Sequence, residues 1–150
     1  MRRMAIAALA LIGAFVAMYL TLYKFGAIGH LACGLGSCER VNTSRWATFL
    51  GAPVAAWGLA FYAVTFVVAL VGTSPAWSGR REISVLLTAM SAVGVVFSAW
   101  LTYLELYVID AVCRYCVVSA AIVTLILFVS VSDLWHFGKR VTLLTSDGEH

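Results

Sequence analysis

Four long apolar runs constrain this chain more than any other feature. Each is about 20 residues long, and a helix of that length crosses the roughly 30 Å hydrocarbon core of a bilayer. With 63% hydrophobic and 11% charged residues, the composition lies far from the soluble average of about a quarter charged. The sequence therefore predicts an all-α membrane protein, a four-transmembrane-helix bundle. The predicted spans are residues 4–23, 52–71, 83–104 and 113–132.

The first run follows Arg2 and Arg3, and a secretory signal peptide also begins with basic residues. A signal peptide, however, has a shorter apolar core and a small-residue cleavage site. Here Tyr19, Tyr23 and Lys24 close the run, as aromatic and basic residues do at a membrane interface. We interpret the run as a transmembrane helix, with a signal peptide as the alternative.

The longest polar connection, residues 24–51, predicts a short interfacial half-helix in the first external loop. Its end, residues 42–51, starts with cap-forming residues and then carries apolar residues at helical spacing. The alternative is a loop that merely dips one tryptophan into the headgroups. The apolar residues are Trp46, Phe49 and Leu50.

Basic residues orient the four spans. Six of them flank the amino terminus, the second connection and the tail, and by the positive-inside rule this side is cytoplasmic. Both termini, including a partly disordered polar tail over residues 133–150, would then be cytoplasmic, and all four cysteines would face outward. The net charge of +3 is scattered, which argues against nucleic-acid binding. The six residues are Arg2, Arg3, Arg80, Arg81, Lys139 and Arg140.

Two cysteine pairs indicate redox chemistry on that outer, oxidising side. Cys113 and Cys116 open the last run, and residues three apart on a helix can close a disulfide. The first turn of a helix also favours a thiolate. Cys33 and Cys38 lie in the Gly-rich loop, so a mobile pair could pass electrons to a helical pair. Because the chain has no Gly-rich nucleotide motif, a lipid-soluble acceptor such as a quinone fits best.

These residues resemble the vitamin K epoxide reductase family, and specifically its bacterial members. The similarity covers nearly the whole chain up to about residue 132. The other quinone-linked oxidase family places its Cys-x-x-Cys in the first external loop, which is the reverse of the order here. The matching segments are the loop pair Cys33 and Cys38, residues 38–46, residues 51–54 and residues 113–116.

The resemblance implies a bundle around a quinone, either ubiquinone or a menaquinone of the vitamin K type. It assigns four catalytic cysteines: Cys116 would react with the quinone, Cys113 would exchange with Cys38, and Cys33 would form a mixed disulfide with a partner. Ser44 and Cys116 would bind the quinone. The implied partner is a thioredoxin-like envelope protein of the DsbA type, which this stand-alone form would need as a separate protein. The implied location is the bacterial inner membrane.

Several alternatives stay open at this stage. The chain could be a vitamin K epoxide or quinone reductase in the strict sense, or a non-catalytic four-span protein with structural disulfides. Four cysteines could also ligate zinc, but an oxidising compartment disfavours it, so we expect no metal site. Ser44 could be an ordinary turn residue. Glu105 and Asp110 could be solvated loop charges or could transfer protons during quinone reduction. Five aromatic residues could line a pocket or pack against helices: Trp57, Phe61, Phe97, Trp100 and Tyr103.

Overall fold

Four helices in the computed structural model are long and apolar enough to cross a membrane. The structure describes residues 1–29 and 37–147. The predicted all-α, four-helix membrane architecture is therefore confirmed. In chain order the helices are α1 Arg2–Lys24, α2 Ser37–Thr43, α3 Val54–Val71, α4 Arg81–Leu104 and α5 Arg114–Asp147, and two short strands, β1 Thr48–Phe49 and β2 Ala52–Pro53, lie between α2 and α3.

The four long helices pack as a closed bundle. Helix α1 contacts α3 and α5, while α4 contacts α5 and α3. Ile6, Leu87 and Ile126 are fully buried where α1, α4 and α5 meet. A close approach of α1 to α3 depends on Gly13, because a Cβ at that position would lie 2.5 Å from the Tyr62 ring. Helices α1 and α3 therefore pack closely at Gly13, and the Tyr62 ring occupies the space that a larger side chain there would need.

The first connection contains a short helix, but not where the sequence predicted it. Helix α2 ends at Thr43, and residues 48–53 form a two-stranded antiparallel hairpin. Leu50 and Gly51 both have positive φ, 53° and 82°, which is the conformation of a two-residue hairpin turn and stops a helix. The Trp57 indole donates to the Phe49 carbonyl at 3.0 Å and fastens the hairpin to α3. Within residues 42–51 one turn of 3₁₀ helix, Arg45–Ala47, follows the end of α2, and the prediction of a continuous helix over this range is therefore wrong.

A buried arginine joins the segments at the opposite end of the bundle. Arg3 is 6% exposed, and its guanidinium donates five hydrogen bonds to α4, α5 and the connection between α3 and α4. The Ser84 hydroxyl also donates to Asp133 Oδ2 at 2.6 Å. Every donor direction of the guanidinium is thereby used, which compensates the cost of burying its charge. The acceptors are Asp133 Oδ2 at 3.2 Å, Gly72 O at 2.7 Å, Trp77 O at 3.2 Å, Arg80 O at 3.1 Å and Ser84 Oγ at 3.0 Å.

Helix α5 continues without a break from the fourth apolar run to Asp147. The sequence predicted a partly disordered tail from residue 133, and the helical conformation of residues 133–147 differs from that prediction. At the start of this segment the helical conformation is explained by Asp133, because its side chain is 8% exposed and forms an ion pair with Arg3. A charged residue that looked like the beginning of a solvated tail is instead part of the packed bundle.

We expect Arg3→Met to destabilise the bundle strongly. The substitution keeps an apolar side chain but leaves the buried Asp133 carboxylate without its partner, which typically costs about 3–5 kcal/mol. Thermal unfolding in detergent, followed by helical circular dichroism, measures the loss. Arg2→Met is the matched control one residue away. The double variant Arg3→Met/Asp133→Leu should recover much of the loss. Equal unfolding temperatures for Arg3→Met and Arg2→Met would contradict this account.

Candidate functional site

The chain reverses between α4 and α5 through a turn that leads into the Cys-x-x-Cys motif. Helix α4 continues as one π-helical turn, Glu105–Ile109. Asp110 then adopts a left-handed conformation with φ of 56°, and the Ala111 N–H donates to the Glu105 carbonyl at 3.1 Å. Cys113 follows in a fully buried position, and α5 begins immediately after it. The turn therefore fixes the depth at which the motif enters the bundle.

Cys113 lies in a small buried cluster with Cys38. The cluster also contains Val41 of α2 and Ala111 of the turn, and it is separate from the main core of the bundle. Cys38 is 1% exposed and Cys113 is 0% exposed. Helix α2 thus carries the second loop cysteine to the start of α5. Two of the cysteines that the sequence singled out are brought together here.

The cysteines of this cluster are in different redox states. Cys38 is disulfide-bonded, whereas Cys113 and Cys116 are free thiols. The fourth predicted site residue, Cys33, lies outside the described residues. Thiol–disulfide exchange requires a free thiol next to a disulfide sulfur. A cluster that packs the free thiol Cys113 with the disulfide-bonded Cys38 meets that requirement.

Asn42 spans the two cysteines of the cluster. Its Nδ2 donates to the Cys38 carbonyl at 2.9 Å and contacts Cys113 Sγ at 3.9 Å. The side chain is 7% exposed. The Lys24 ammonium donates to the Asn42 carbonyl at 2.7 Å and so holds the end of α2 against α1. The sequence gave Asn42 as a possible helix cap and as part of the family-like segment 38–46, with no role toward the cysteines. Its four-residue spacing from Cys38 was the signal that could have placed both on one helical face.

Glu105 is a buried carboxylate at the same turn. It is 5% exposed, and its Oε2 accepts a hydrogen bond from the Cys113 backbone N–H at 3.0 Å. Its side chain also makes a hydrogen bond with the Cys116 thiol. The prediction of a solvated loop charge is therefore wrong for Glu105, whereas Asp110 is exposed. A carboxylate eight residues before a Cys-x-x-Cys gave no sequence signal of burial.

The hydrogen bond from the Cys116 thiol holds the pKa of the Cys113 thiol below its ordinary value. Backbone N–H groups of Cys116 and Tyr115 act in the same direction, because each stabilises a thiolate. Burial and the nearby Glu105 carboxylate oppose them by disfavouring negative charge. The net direction favours a Cys113 thiolate, which is the form that attacks a disulfide.

A cavity of about 250 Å³ opens beside Cys116 and between all four long helices. Its lining is mostly apolar. Of the five aromatic candidates from the sequence, Trp57, Phe61 and Phe97 line it, while Trp100 and Tyr103 are 42% and 56% exposed on the outer surface of α4. A concave apolar space with a few polar groups is the usual form of a small-molecule site. Its polar or titratable lining residues include Lys24, Asn42, Ser44, Tyr62, Glu105, Cys116 and Ser119.

Ser44 lines this cavity at the end of α2. Its hydroxyl donates to the Val41 carbonyl at 2.8 Å, so in this state it closes a local turn. A hydroxyl that donates one hydrogen bond can still accept others or rotate toward a ligand. The structure therefore places Ser44 on the cavity, and its role toward a quinone stays a prediction.

Tyr62 is a cavity residue that sequence reasoning missed. Its hydroxyl lies 2.8 Å from the Ser119 carbonyl and 2.9 Å from Ser119 Oγ, one helical turn along α5 from Cys116. The side chain is 2% exposed and fills the space that Gly13 leaves open on α1. An isolated tyrosine in an apolar run is typical of interfaces as well as of sites, so the sequence gave no means of choosing it.

The model of the vitamin K epoxide reductase family matches residues 4–131. The match extends from the start of α1 across the cavity and both described cysteine sites into the second half of α5. It covers well over half of the chain.

In the reduced protein, the pH dependence of Cys113 alkylation should change when Cys116 is replaced. Because the Cys116 thiol is the main group that lowers the Cys113 pKa, Cys116→Ala should move the midpoint of Cys113 alkylation to higher pH. Cys116→Ser retains an O–H donor and should move it less. Iodoacetamide labelling rates across pH, resolved by mass spectrometry, give the midpoints. An unchanged Cys113 midpoint in Cys116→Ala would show that this hydrogen bond does not set the thiolate.

Proposed function

The chain belongs to the vitamin K epoxide reductase family and is thus a quinone-linked membrane oxidoreductase, and from that premise we propose that it catalyses disulfide formation. In this proposal a thioredoxin-like envelope protein supplies electrons as a dithiol. The loop cysteines Cys33 and Cys38 receive them, the helical cysteines Cys113 and Cys116 take them from the loop, and a quinone accepts them. The net reaction converts a partner dithiol and a quinone into a partner disulfide and a quinol.

One observation carries the proposal: the two helical cysteines have different neighbours. Cys113 packs in the buried cluster with Cys38, whereas Cys116 lines the apolar cavity. A relay needs one cysteine that exchanges with the loop pair and one that reaches the acceptor. Three residues of α-helix separate two such groups by a rise of about 4.5 Å and turn them toward neighbouring faces. The alternative of purely structural disulfides gives no reason for a free thiol at a cavity.

The chemistry of each residue follows from its position. The Cys38 thiolate of the reduced loop would attack Cys113 of a Cys113–Cys116 disulfide, form a mixed disulfide and release the Cys116 thiolate. Cys33 would then attack Cys38, which closes the loop disulfide and frees Cys113. The helical pair is now a dithiol, and its reoxidation requires a two-electron acceptor in the cavity. A quinone supplies that chemistry when bound. The aromatic rings of Trp57, Phe61 and Phe97 suit its flat apolar ring.

The proposed setting is a bacterial inner membrane with both termini in the cytoplasm. The described sulfur sites lie at the end of the bundle opposite to Arg3, where α1 ends, α3 begins and α4 turns into α5. At least four of the six orienting basic residues lie at the Arg3 end, namely Arg2, Arg3, Arg80 and Arg81. The positive-inside rule would then leave the cysteines on the oxidising outer face, where a thioredoxin-like partner could reach them.

We expect Cys116→Ala to stop quinone-dependent oxidation of a reduced thioredoxin-like protein. Cys113 could still exchange with the loop disulfide at Cys38, but without Cys116 no helical disulfide can close, so a Cys38–Cys113 disulfide should accumulate. Loss of quinone absorbance measures turnover, and mass spectrometry under non-reducing conditions detects the crosslink. The double variant Cys38→Ala/Cys116→Ala lacks the attacked sulfur and should show no crosslink. Continued oxidation by Cys116→Ala would refute the relay. The same assay on the unaltered protein, run in parallel with ubiquinone, menaquinone and the epoxide of vitamin K, identifies the substrate.

Ser44→Ala should raise the KM for the quinone with little change in kcat. If the hydroxyl leaves Val41 and donates to a quinone oxygen, its removal costs one hydrogen bond of about 0.5–1.5 kcal/mol, or roughly a 2-fold to 10-fold rise in KM. Thr43→Ala is the matched control, since Thr43 is exposed and donates to a carbonyl of the same helix, that of Glu39 at 2.8 Å. Equal effects of the two substitutions on KM would remove Ser44 from the quinone site.

A further inference from the structure

The buried carboxylate of Glu105 lies where the thiol pair meets the cavity. Three contacts define its position: the Cys113 backbone N–H at 3.0 Å, the Cys116 side chain and the cavity itself. Of the described residues that line the cavity, Glu105 is the one with a carboxylate. A buried carboxylate is costly in a membrane protein, and such residues are usually functional.

The contacts of this carboxylate suit a group that accepts a proton. Two donors, a backbone N–H and a thiol, point at it. It also lies at the amino-terminal end of α5, a helix of 34 residues whose macrodipole stabilises negative charge. A neutral glutamine could accept the same backbone hydrogen bond. Capping the helix therefore does not by itself require a negatively charged side chain.

We propose that Glu105 accepts the proton of the Cys116 thiol and delivers it to the quinone oxygen in the cavity. The inference rests on the function proposed above. Formation of the Cys113–Cys116 disulfide releases two electrons, and reduction of a quinone to a quinol consumes two electrons and two protons. One proton travels from Cys116 through Glu105. The second is drawn from water, which takes up the proton that Cys113 loses when it becomes a thiolate, so protons and electrons balance.

The other titratable groups that face this point are already engaged. Lys24 of α1 lines the cavity, but its ammonium donates to the Asn42 carbonyl at 2.7 Å. The Tyr62 hydroxyl of α3 is bound to Ser119. On α5 and its approach, Cys113 and Cys116 are the reacting thiols themselves. Within residues 1–29 and 37–147, Glu105 is thus the group that can both take a proton from Cys116 and reach the cavity.

Glu105→Gln tests the proton transfer by separating the two half-reactions. Stopped-flow oxidation of the fully reduced protein by ubiquinone-1 should slow by about 100-fold or more, the usual contribution of a general acid–base group. Reduction of the oxidised protein by dithiothreitol should be unchanged. Glu105→Asp restores a carboxylate one methylene shorter and should recover part of the quinone rate. Glu39→Gln, on an exposed carboxylate of α2, is the matched control.

A second readout uses the reduced protein without quinone. The negative charge of Glu105 raises the pKa of Cys113 and so opposes the hydrogen bonds that lower it. Glu105→Gln should therefore move the Cys113 alkylation midpoint to lower pH. That shift occurs only if Glu105 is ionised and able to accept a proton. An unchanged midpoint overturns the inference, and so does an unchanged quinone rate or an equal slowing of both half-reactions. If the unaltered protein fails to reduce any quinone, the proposed function itself fails, which is a different result.

Discussion

The hydrogen bond from the Cys113 N–H to the Glu105 carboxylate decides how α4 and α5 meet. The bond spans a reversal of the chain that consists of a π-helical turn and the left-handed residue Asp110. It also gives the Cys113 N–H, just before α5, a hydrogen-bond acceptor. In an apolar setting an unsatisfied amide would cost several kcal/mol. Because the same carboxylate contacts Cys116, the bond that caps the helix also determines where the inner thiol lies relative to the cavity.

The two ends of the bundle differ in the kind of polar contact they use. At one end Arg3 fixes three long helices and the connection between α3 and α4 with five hydrogen bonds, one of which is also an ion pair. At the other end the polar contacts include separate ones made by short elements: α2 is held by Lys24, and the hairpin by Trp57. Under the proposed relay, separate contacts of this kind would let the sulfur atoms exchange partners by local movement without loss of the bundle.

The four spans were predictable because length and apolar composition alone determine whether a helix crosses a bilayer. The pairing of Cys38 with Cys113 was accessible only through family resemblance, since no periodicity connects α2 to the start of α5. The hairpin at Leu50 and Gly51 escaped prediction because Trp46, Phe49 and Leu50 happen to have helical spacing. Glu105 and Asp133 were both read as solvated charges, because a sequence shows a charge but not the donors that neutralise it: the Cys113 amide in one case and Arg3 in the other.

The spacing of two residues between the helical cysteines gains a physical meaning from these neighbours. Cys113 precedes α5 and packs in the cluster that contains Cys38, while Cys116 lies in the first turn and lines the cavity. Adjacent cysteines would face away from each other, and a spacing of a full turn or more would lengthen the separation beyond a disulfide. Three positions keep the sulfurs within bonding range and still give each a different environment. Under the proposed relay, the direction of electron flow follows from that asymmetry and requires no moving domain within the described part of the chain.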